Sequence, residues 1–272
     1  MGNYGNIYRG KLVLITGGSS GIGRALALKL DELGARLVLI ARRQEPLERT
    51  ASILQSPCRV ISADVSDIKQ VEEAFSKITE TEGIPDIVIN SAGVAHPGYV
   101  QEIPLPVFHE MMEVNYFGTV HVVKAVLPGM ISKGMGHIVN ISSVAGFIGV
   151  FGYSAYGPSK FAVRGFSDAL RAELKPLGIR VSVVFPPDTD TPQLAYENMI
   201  KPPETKALAG NAGLMKPEEV AEVILKGVAR GKYIILPGWE TKFLFNVSNF
   251  LGGAIYPVMD LLIRRARRQM KK

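Results

Sequence analysis

Short apolar runs alternate with amphipathic stretches along most of the 272-residue chain. The runs KLVLI (11–15), RLVLI (36–40), RVISA (59–63), DIVIN (86–90), HIVNI (137–141), IRVSVVF (179–185) and YIIL (233–236) have strand length and strand composition. Between them apolar residues recur at helical spacing, as in Ile22, Leu26 and Leu30 or Val71, Phe75 and Ile78. Near-continuous Val, Ile and Leu predict strands buried on both faces. The pattern therefore predicts one α/β domain, a doubly wound seven-stranded parallel sheet with helices on both sides. The rhythm breaks twice. Residues 187–217 are proline-rich and poor in strand signals, which predicts a lid. Residues 239–272 follow the last strand, so the expected division is 1–238, lid included, and an appendage of 239–272.

Charge changes the picture only at the end. The last nine residues, RRARRQMKK, hold six Lys and Arg and no acid; without them 31 basic residues become 25, matching the 25 acids. A neutral body argues against a nucleic-acid-binding face. A basic tail behind an apolar segment points to an anionic membrane surface. Between Lys242 and Asp260 lie 17 uncharged residues, the lower limit for a spanning helix, and Asn246, Ser248, Asn249 and Pro257 interrupt them. Read as a helix, Phe243, Val247, Phe250, Leu251, Ala254, Val258, Leu261 and Leu262 share one stripe. Asn246, Asn249, Gly253, Asp260, Arg264, Arg267 and Lys271 fall largely opposite, the pattern of a helix lying in an interface. The alternative is a stripe that packs on the domain or on a second subunit. Cys58 is the only cysteine, which excludes an internal disulfide and a cysteine-based zinc site and suits a reducing cytoplasm. The opening MGNYGNIYRG lacks the apolar core of a secretory signal, and Asn6 stands where a myristoylation motif wants Ser or Thr. The expectation is a cytoplasmic protein in peripheral contact with the cytoplasmic face of a membrane.

Immediately after the first strand comes TGGSSGIG (16–23), followed by an amphipathic helix. Gly17, Gly21 and Gly23 allow a tight turn and close backbone approach to a pyrophosphate, which Ser19, Ser20 and Ile22 would border at the helix N-terminus. At the end of the second strand an NAD site usually carries an acid for the ribose 2′-hydroxyl. Here Ala41 stands there and Arg42 and Arg43 follow, with Arg42 expected to pair with a 2′-phosphate, so NADPH/NADP+ is favoured over NADH.

Tyr156 and Lys160 sit four residues apart at the start of a predicted helix, on one face. Ser143 follows a strand thirteen residues before the tyrosine, Asn115 lies in the helical stretch VNYFG, and Asn90-Ser91-Ala92-Gly93 closes the fourth strand. A nearby ammonium and a positively charged nicotinamide would both favour the phenolate of Tyr156. His96, His109, His121 and His137 lack metal-ligand spacing and read as surface or packing residues; His96 alone lies on a loop that could meet substrate.

In order and spacing these motifs resemble the short-chain dehydrogenase/reductase family over about residues 10–192. The resemblance implies a Rossmann-type domain, a homo-oligomer and a tetrad of Asn115, Ser143, Tyr156 and Lys160, in which Ser143 would hold a carbonyl oxygen, Lys160 the nicotinamide ribose and Asn115 a proton-relaying water. It also implies cofactor contacts from Asp64 and Val65 at the adenine, from Asn90, Ala92 and Gly93, and from Pro186, Thr189 and Thr191 near the nicotinamide. Pro187 replaces the family's usual glycine after Pro186. Within the family NSAGVAHPG, SAYGPSKFAVRG and FPPDTDTPQLAYENMIKPPET are similar to the 3-ketodihydrosphingosine reductases, which implies a long-chain sphingoid ketone as substrate. Phe147, Ile148, Val150 and Phe151, with Leu194, Met199, Ile200, Leu208, Leu214 and Met215 of the lid, would line such a chain or serve as ordinary core. Other readings are reduction of a 3-oxoacyl or hydroxysteroid-type ketone, or an NADPH sensor that keeps the fold without the chemistry.

Overall fold

Alternate residues of the first strand point to opposite faces of the sheet. Val13 and Ile15 join one core, Leu12 and Leu14 the other. The computed structural model describes residues 4–209 and 213–269. Gly210, Asn211 and Ala212 of the expected lid, Lys271 and Lys272 of the basic tail and residues 1–3 of the opening stretch lie outside the described residues.

In chain order the elements are β1 (Leu12–Thr16), α1 (Gly21–Glu32), β2 (Arg36–Ala41), α2 (Gln44–Ala51), β3 (Cys58–Ser62), α3 (Ile68–Thr81), β4 (Ile87–Asn90) and α4 (Leu105–Met111). A wide π turn (Met112–Phe117) runs straight into α5 (Gly118–Lys133), then β5 (Gly136–Ile141), α6 (Tyr156–Leu174), β6 (Ile179–Val184), α7 (Pro192–Ile200), α8 (Pro203–Ala209) and α9 (Pro217–Ala229). The chain closes with β7 (Ile234–Ile235), α10 (Trp239–Leu251) and α11 (Ile255–Gln269). All seven strands are parallel, in the order β3-β2-β1-β4-β5-β6-β7, so the winding reverses between β1 and β4. Helices α1 and α9 cover one face with Leu26, Leu30, Val220 and Ile224. Helices α3, α5 and α6 cover the other with Phe75, Ile78, Val122, Val126, Leu170 and Leu174.

Local chemistry sets the boundaries. Asp67 caps α3 by accepting from Lys69 N at 2.9 Å and Gln70 N at 3.4 Å. Thr191 caps α7, whose first residue is Pro192. Gly134, with φ of 64°, ends α5 in the left-handed conformation that a side chain disfavours.

The C-terminal segment departs from the single-helix reading. Gly252, at φ of 50°, ends α10, and a short turn over Gly252–Ala254 re-aims the chain into α11. Part of the expected stripe is core: Val247 and Leu251, with Phe245, Ile255 and Met259, pack on Phe147, Val183 and Phe185. Residues 239–269 therefore complete the domain's own packing, and removing them would uncover Phe147 and Phe185. Phe147 and Ile148 are buried in the same core. Arg267, expected opposite the stripe and free for lipid, pairs instead with Glu204 of α8 at 3.0 Å. No described helix is long and apolar enough to cross a membrane.

Candidate active site

Parallel pairing sets Thr16 beside Ile40 and Asn90, Asn90 beside Asn140, and Ile141 beside Val184. The loops that leave these strand ends, 17–20, 91–98, 142–155 and 185–191, gather at the carboxyl edge of the sheet. In open α/β sheets that edge, at the reversal point, is where ligands bind.

The glycine turn is built for close backbone approach. Gly17 and Gly21 have φ of 71° and 52°, and a Cβ at Gly23 would stand 2.3 Å from the Gly17 carbonyl oxygen. A Cβ at Gly17 would meet Ala92 backbone at 2.9 Å, so the turn and the loop after β4 lie against each other. Thr16 Oγ1 fixes that loop by accepting from Ser91 N and Ala92 N, both at 3.1 Å. Beyond the turn, Ser19, Ser20 and Gly21 line a cleft of about 560 Å³. Arg24, Arg43, Arg49 and Lys216 face it, with Asp190 and Glu218 as the acids. A helix N-terminus with four cations beside it is a phosphate site. Asn90 adds a second mark: Nδ2 donates to Asn140 Oδ1 at 2.9 Å, while its own Oδ1 is buried without a partner. The residues present fit a dinucleotide.

The two arginines after β2 divide. Arg43 lines the cleft, whereas Arg42 is half-exposed with its guanidinium 3.8 Å from Asp64. Asp64 also accepts from Ser66 N and Ser66 Oγ, at 2.9 and 2.7 Å. Val65 presses on the backbone of Gly118, where a Cβ would come within 2.6 Å of it.

Ser143, Tyr156 and Lys160 meet beside this cradle. Tyr156 and Lys160 lie in the first turn and a half of α6, both buried, with Lys160 Nζ 5.7 Å from the Tyr156 ring centre. The Ser143 hydroxyl lies close enough to the Tyr156 phenol to lower its pKa, and accepts from Ala145 N at 3.2 Å. Lys160 Nζ donates to Ile141 O at 3.1 Å, and a Cβ at Gly93 would lie 3.3 Å from it. Burial lowers the Lys160 pKa to about 8. Tyr156 shifts the other way: burial foremost, then the carboxylates of Glu197 and Asp188, push the phenol up, and the Ser143 contact only partly offsets them. Among the chain's own groups, then, the phenol is favoured rather than the expected phenolate.

Asn115 sits in the π turn, fully buried. Its Nδ2 donates to Val94 O and Ser159 Oγ, and its Oδ1 accepts from Val94 N, all at 2.9 Å. The side chain is thus a strut between the loop after β4 and α6, which leaves it little capacity for the expected water. Thr189 Oγ1 donates to Pro187 O at 2.9 Å, and Thr191, used as the α7 cap, packs its methyl against Gly21. Pro186 O accepts from Val144 N at 3.2 Å.

The lid carries chemistry that sequence reasoning missed. Tyr153 donates to Glu197 of α7, and its ring centre is 5.5 Å from that of Tyr156. Lys201 Nζ, almost wholly buried, lies 3.7 Å from Glu197 and 3.3 Å from Asp188. Glu197 and Lys201 stand four apart, at the end of α7 and at its C-cap, a spacing that reads as an exposed surface pair. Of the histidines, His96 Nδ1 is 2.9 Å from Tyr196 OH of α7, bridging the β4 loop to the lid. His121 hydrogen-bonds Val65 O, and buried His137 hydrogen-bonds Ser182.

Comparison with known proteins places these features. A family profile described as short chain dehydrogenase matches residues 11–200. A 3-dehydrosphinganine reductase of Danio rerio is 42% identical over 232 residues, covering 82% of this chain and 70% of that protein. A 3-ketodihydrosphingosine reductase of Dictyostelium discoideum is 38% identical over 276 residues, covering 94% and 83%. Among solved structures, a short-chain dehydrogenase from Streptomyces avermitilis superposes with a TM-score of 0.81 at 27% identity, covering 94% of this chain and 98% of that one. A short chain dehydrogenase/reductase from Burkholderia phymatum in complex with NAD gives 0.81 at 26% identity, covering 90% and 94%.

Proposed function

We propose that this chain, which belongs to the short-chain dehydrogenase family, uses NADPH to reduce the 3-keto group of a long-chain sphingoid base, 3-ketodihydrosphingosine. The observation that carries the reading is Ser143, Tyr156 and Lys160 gathered beside the cradle in a chain 38–42% identical to reductases named for that substrate. When bound, the dinucleotide supplies a hydride to the carbonyl carbon. Ser143 holds the carbonyl oxygen by hydrogen bonding, and Tyr156, kept protonated by burial, gives that oxygen its proton. Hydride and proton together convert C=O to CH–OH. The Lys160 ammonium then stabilises the phenolate left behind and grips the nicotinamide ribose. Asn115 positions α6 and the β4 loop around both.

Support for NADPH over NADH comes from Ala41 in the acid's place and from the cationic cleft. Because Arg42 is turned towards Asp64, Arg43 takes the role of reading the 2′-phosphate. Incubation with 3-ketodihydrosphingosine and either cofactor tests the reading: the alcohol should form, and faster with NADPH. Absence of the alcohol with both cofactors overturns it.

A second element of the proposal is docking of the C-terminal helices at an anionic lipid surface. Its support is chemical: Trp239, Phe243, Phe250, Tyr256 and Leu261 stand largely exposed on α10 and α11, Phe250 by 91%, and Arg264, Arg265 and Arg268 are exposed beside them.

A further inference from the structure

The lid presses a small ion network against Tyr156 that reduction of a plain ketone does not use. Glu197 accepts from Tyr153 and from Gln193 Nε2, the latter at 3.0 Å, and Lys201 lies between Glu197 and Asp188 at 3.7 and 3.3 Å. Two carboxylates share one ammonium, so the network holds a surplus negative charge. Its members differ in access. Glu197 and Lys201 are buried, whereas the Asp188 side chain is 38% exposed. Asp188 lies two residues after Pro186, in the loop 185–191 that leaves β6 at the carboxyl edge of the sheet. Lys160 does not cancel this charge from the lid side, because its Nζ is turned to Ile141 O and Gly93.

Glu197 is buried and balanced by the buried Lys201, so the charge left over is carried by the accessible carboxylate of Asp188. That carboxylate can pair with a cation that the substrate brings. A sphingoid ketone carries an ammonium on the carbon next to its carbonyl. With the carbonyl oxygen at the Tyr156 hydroxyl, that ammonium stands within a few ångströms of it. The neighbouring groups on the lid side are Tyr153, 5.5 Å away between ring centres, and the carboxylates behind it.

We propose that Asp188, supported by Glu197 and Lys201, is a specificity-determining residue that selects ketones bearing an adjacent ammonium over neutral ketones of the same length. This inference rests on the sphingoid-ketone reading and deepens it. A charge-assisted contact of this kind is worth about a ten- to hundredfold preference.

The test uses the full chain with NADPH and measures kcat/KM at pH 7 for two probes, 3-ketodihydrosphingosine and its des-amino analogue of equal chain length. The native chain should prefer the amino ketone by about tenfold or more, and Asp188→Asn should reduce that ratio about tenfold, mainly through KM of the amino ketone. Lys201→Met, which removes the cation and leaves both carboxylates, should move the ratio in the opposite direction. A merely structural role for Asp188 would lower both substrates alike and leave the ratio unchanged, which overturns the inference. Equal use of both ketones by the native chain overturns it while the sphingoid-ketone reading survives. If the native chain reduces neither ketone, both fall. If Asp188→Asn does not fold, the Lys201→Met ratio decides alone: a rise supports the inference, and a ratio that stays or falls overturns it.

Discussion

Glu204 of α8 and Arg267 of α11 meet with Oε1 and Nε 3.0 Å apart. Tyr99 OH donates to the other oxygen of the same carboxylate at 2.8 Å, and the Arg267 guanidinium lies 5.5 Å from the Phe151 ring centre. One lid carboxylate therefore gathers the loop after β4 and the last helix. Thr205 Oγ1, donating to Phe151 O at 2.9 Å, adds a hold on the same lid helix.

Arg267→Ala should loosen α8 without unfolding the domain. Because Arg267 is more than half exposed, solvent screening limits the ion pair to about 0.2–1 kcal/mol, and the aromatic contact adds about 0.5–1. Amide hydrogen exchange over 203–208 should accelerate by roughly fivefold. Unchanged exchange would mean that Thr205 and Glu197 hold the lid without this pair.

Tyr156→Phe should lower ketone reduction by at least about a hundredfold and leave cofactor affinity nearly intact, since only the proton donor is lost. Lys160→Ala should damage both turnover and cofactor affinity. Steady-state rates and cofactor titration separate the two, and near-normal turnover in Tyr156→Phe would contradict the mechanism.

Arg43→Ala should weaken NADPH by about tenfold or more relative to NADH, whereas Arg42→Ala, whose guanidinium faces Asp64, should discriminate less between them. Equal loss for both cofactors in Arg43→Ala would show that this arginine does not read the 2′-phosphate.

His137 gives the fold a pH dependence of known sign. Burial, with the Arg180 charge, lowers its pKa from 6.5 to about 4, so the unfolded chain binds its proton more readily than the native one. The corresponding stability is complete above about pH 6.5 and is lost as pH falls towards 4, a contribution of roughly 3 kcal/mol. Denaturant titrations at stepped pH should show this slope in the native chain and a shallower one in His137→Asn.

The lipid-facing surface is tested by co-sedimentation with vesicles containing phosphatidylserine. Binding should weaken with salt, because each basic residue near the surface contributes about 1 kcal/mol, and the double change Phe250→Glu with Leu261→Glu should abolish it. An intact protein that stays in the supernatant at low salt and sediments as a dimer in the ultracentrifuge would assign this face to a second subunit.

The strands were legible because a buried parallel sheet leaves unbroken Val, Ile and Leu runs, and all seven lie within the predicted stretches or overhang them by a residue. Gly17, Gly21, Gly23, Ser143, Tyr156 and Lys160 were legible for a related reason: Gly17 and Ser143 follow strand ends and the others sit in the first turns of the helices that come next, so linear spacing becomes position in space. Residues placed by packing between distant elements leave no such mark. Glu197 and Lys201 look like a solvated pair until Tyr153 and Asp188 close over them. Arg42, the arginine expected from the sequence to read the phosphate, is set apart from Arg43 by Asp64, which follows β3 and leaves no mark beside it in the chain. The C-terminal stripe held two signals at once, a face for Phe147 and Phe185 and a face left outward, and helical periodicity alone does not separate them.

The π turn at Met112–Phe117 joins α4 and α5 into one continuous rod that serves two interiors. Upstream, Met111 packs with Ile103, Tyr153 and Tyr156; downstream, Val122, Val123 and Val126 pack on the sheet. A wide turn accommodates an extra residue within its coil, so loss of one of those six could be absorbed by tightening to an ordinary helical turn, with the two halves still in phase and only Asn115 and its neighbours moved. Loss of one residue from the regular helix between Gly118 and Val122 has no such slack: it would rotate Met111 and the valines against each other by about 100°. The wide turn is thus the one stretch of this rod where a change of length need not set the tyrosines' neighbour against the cover of the sheet.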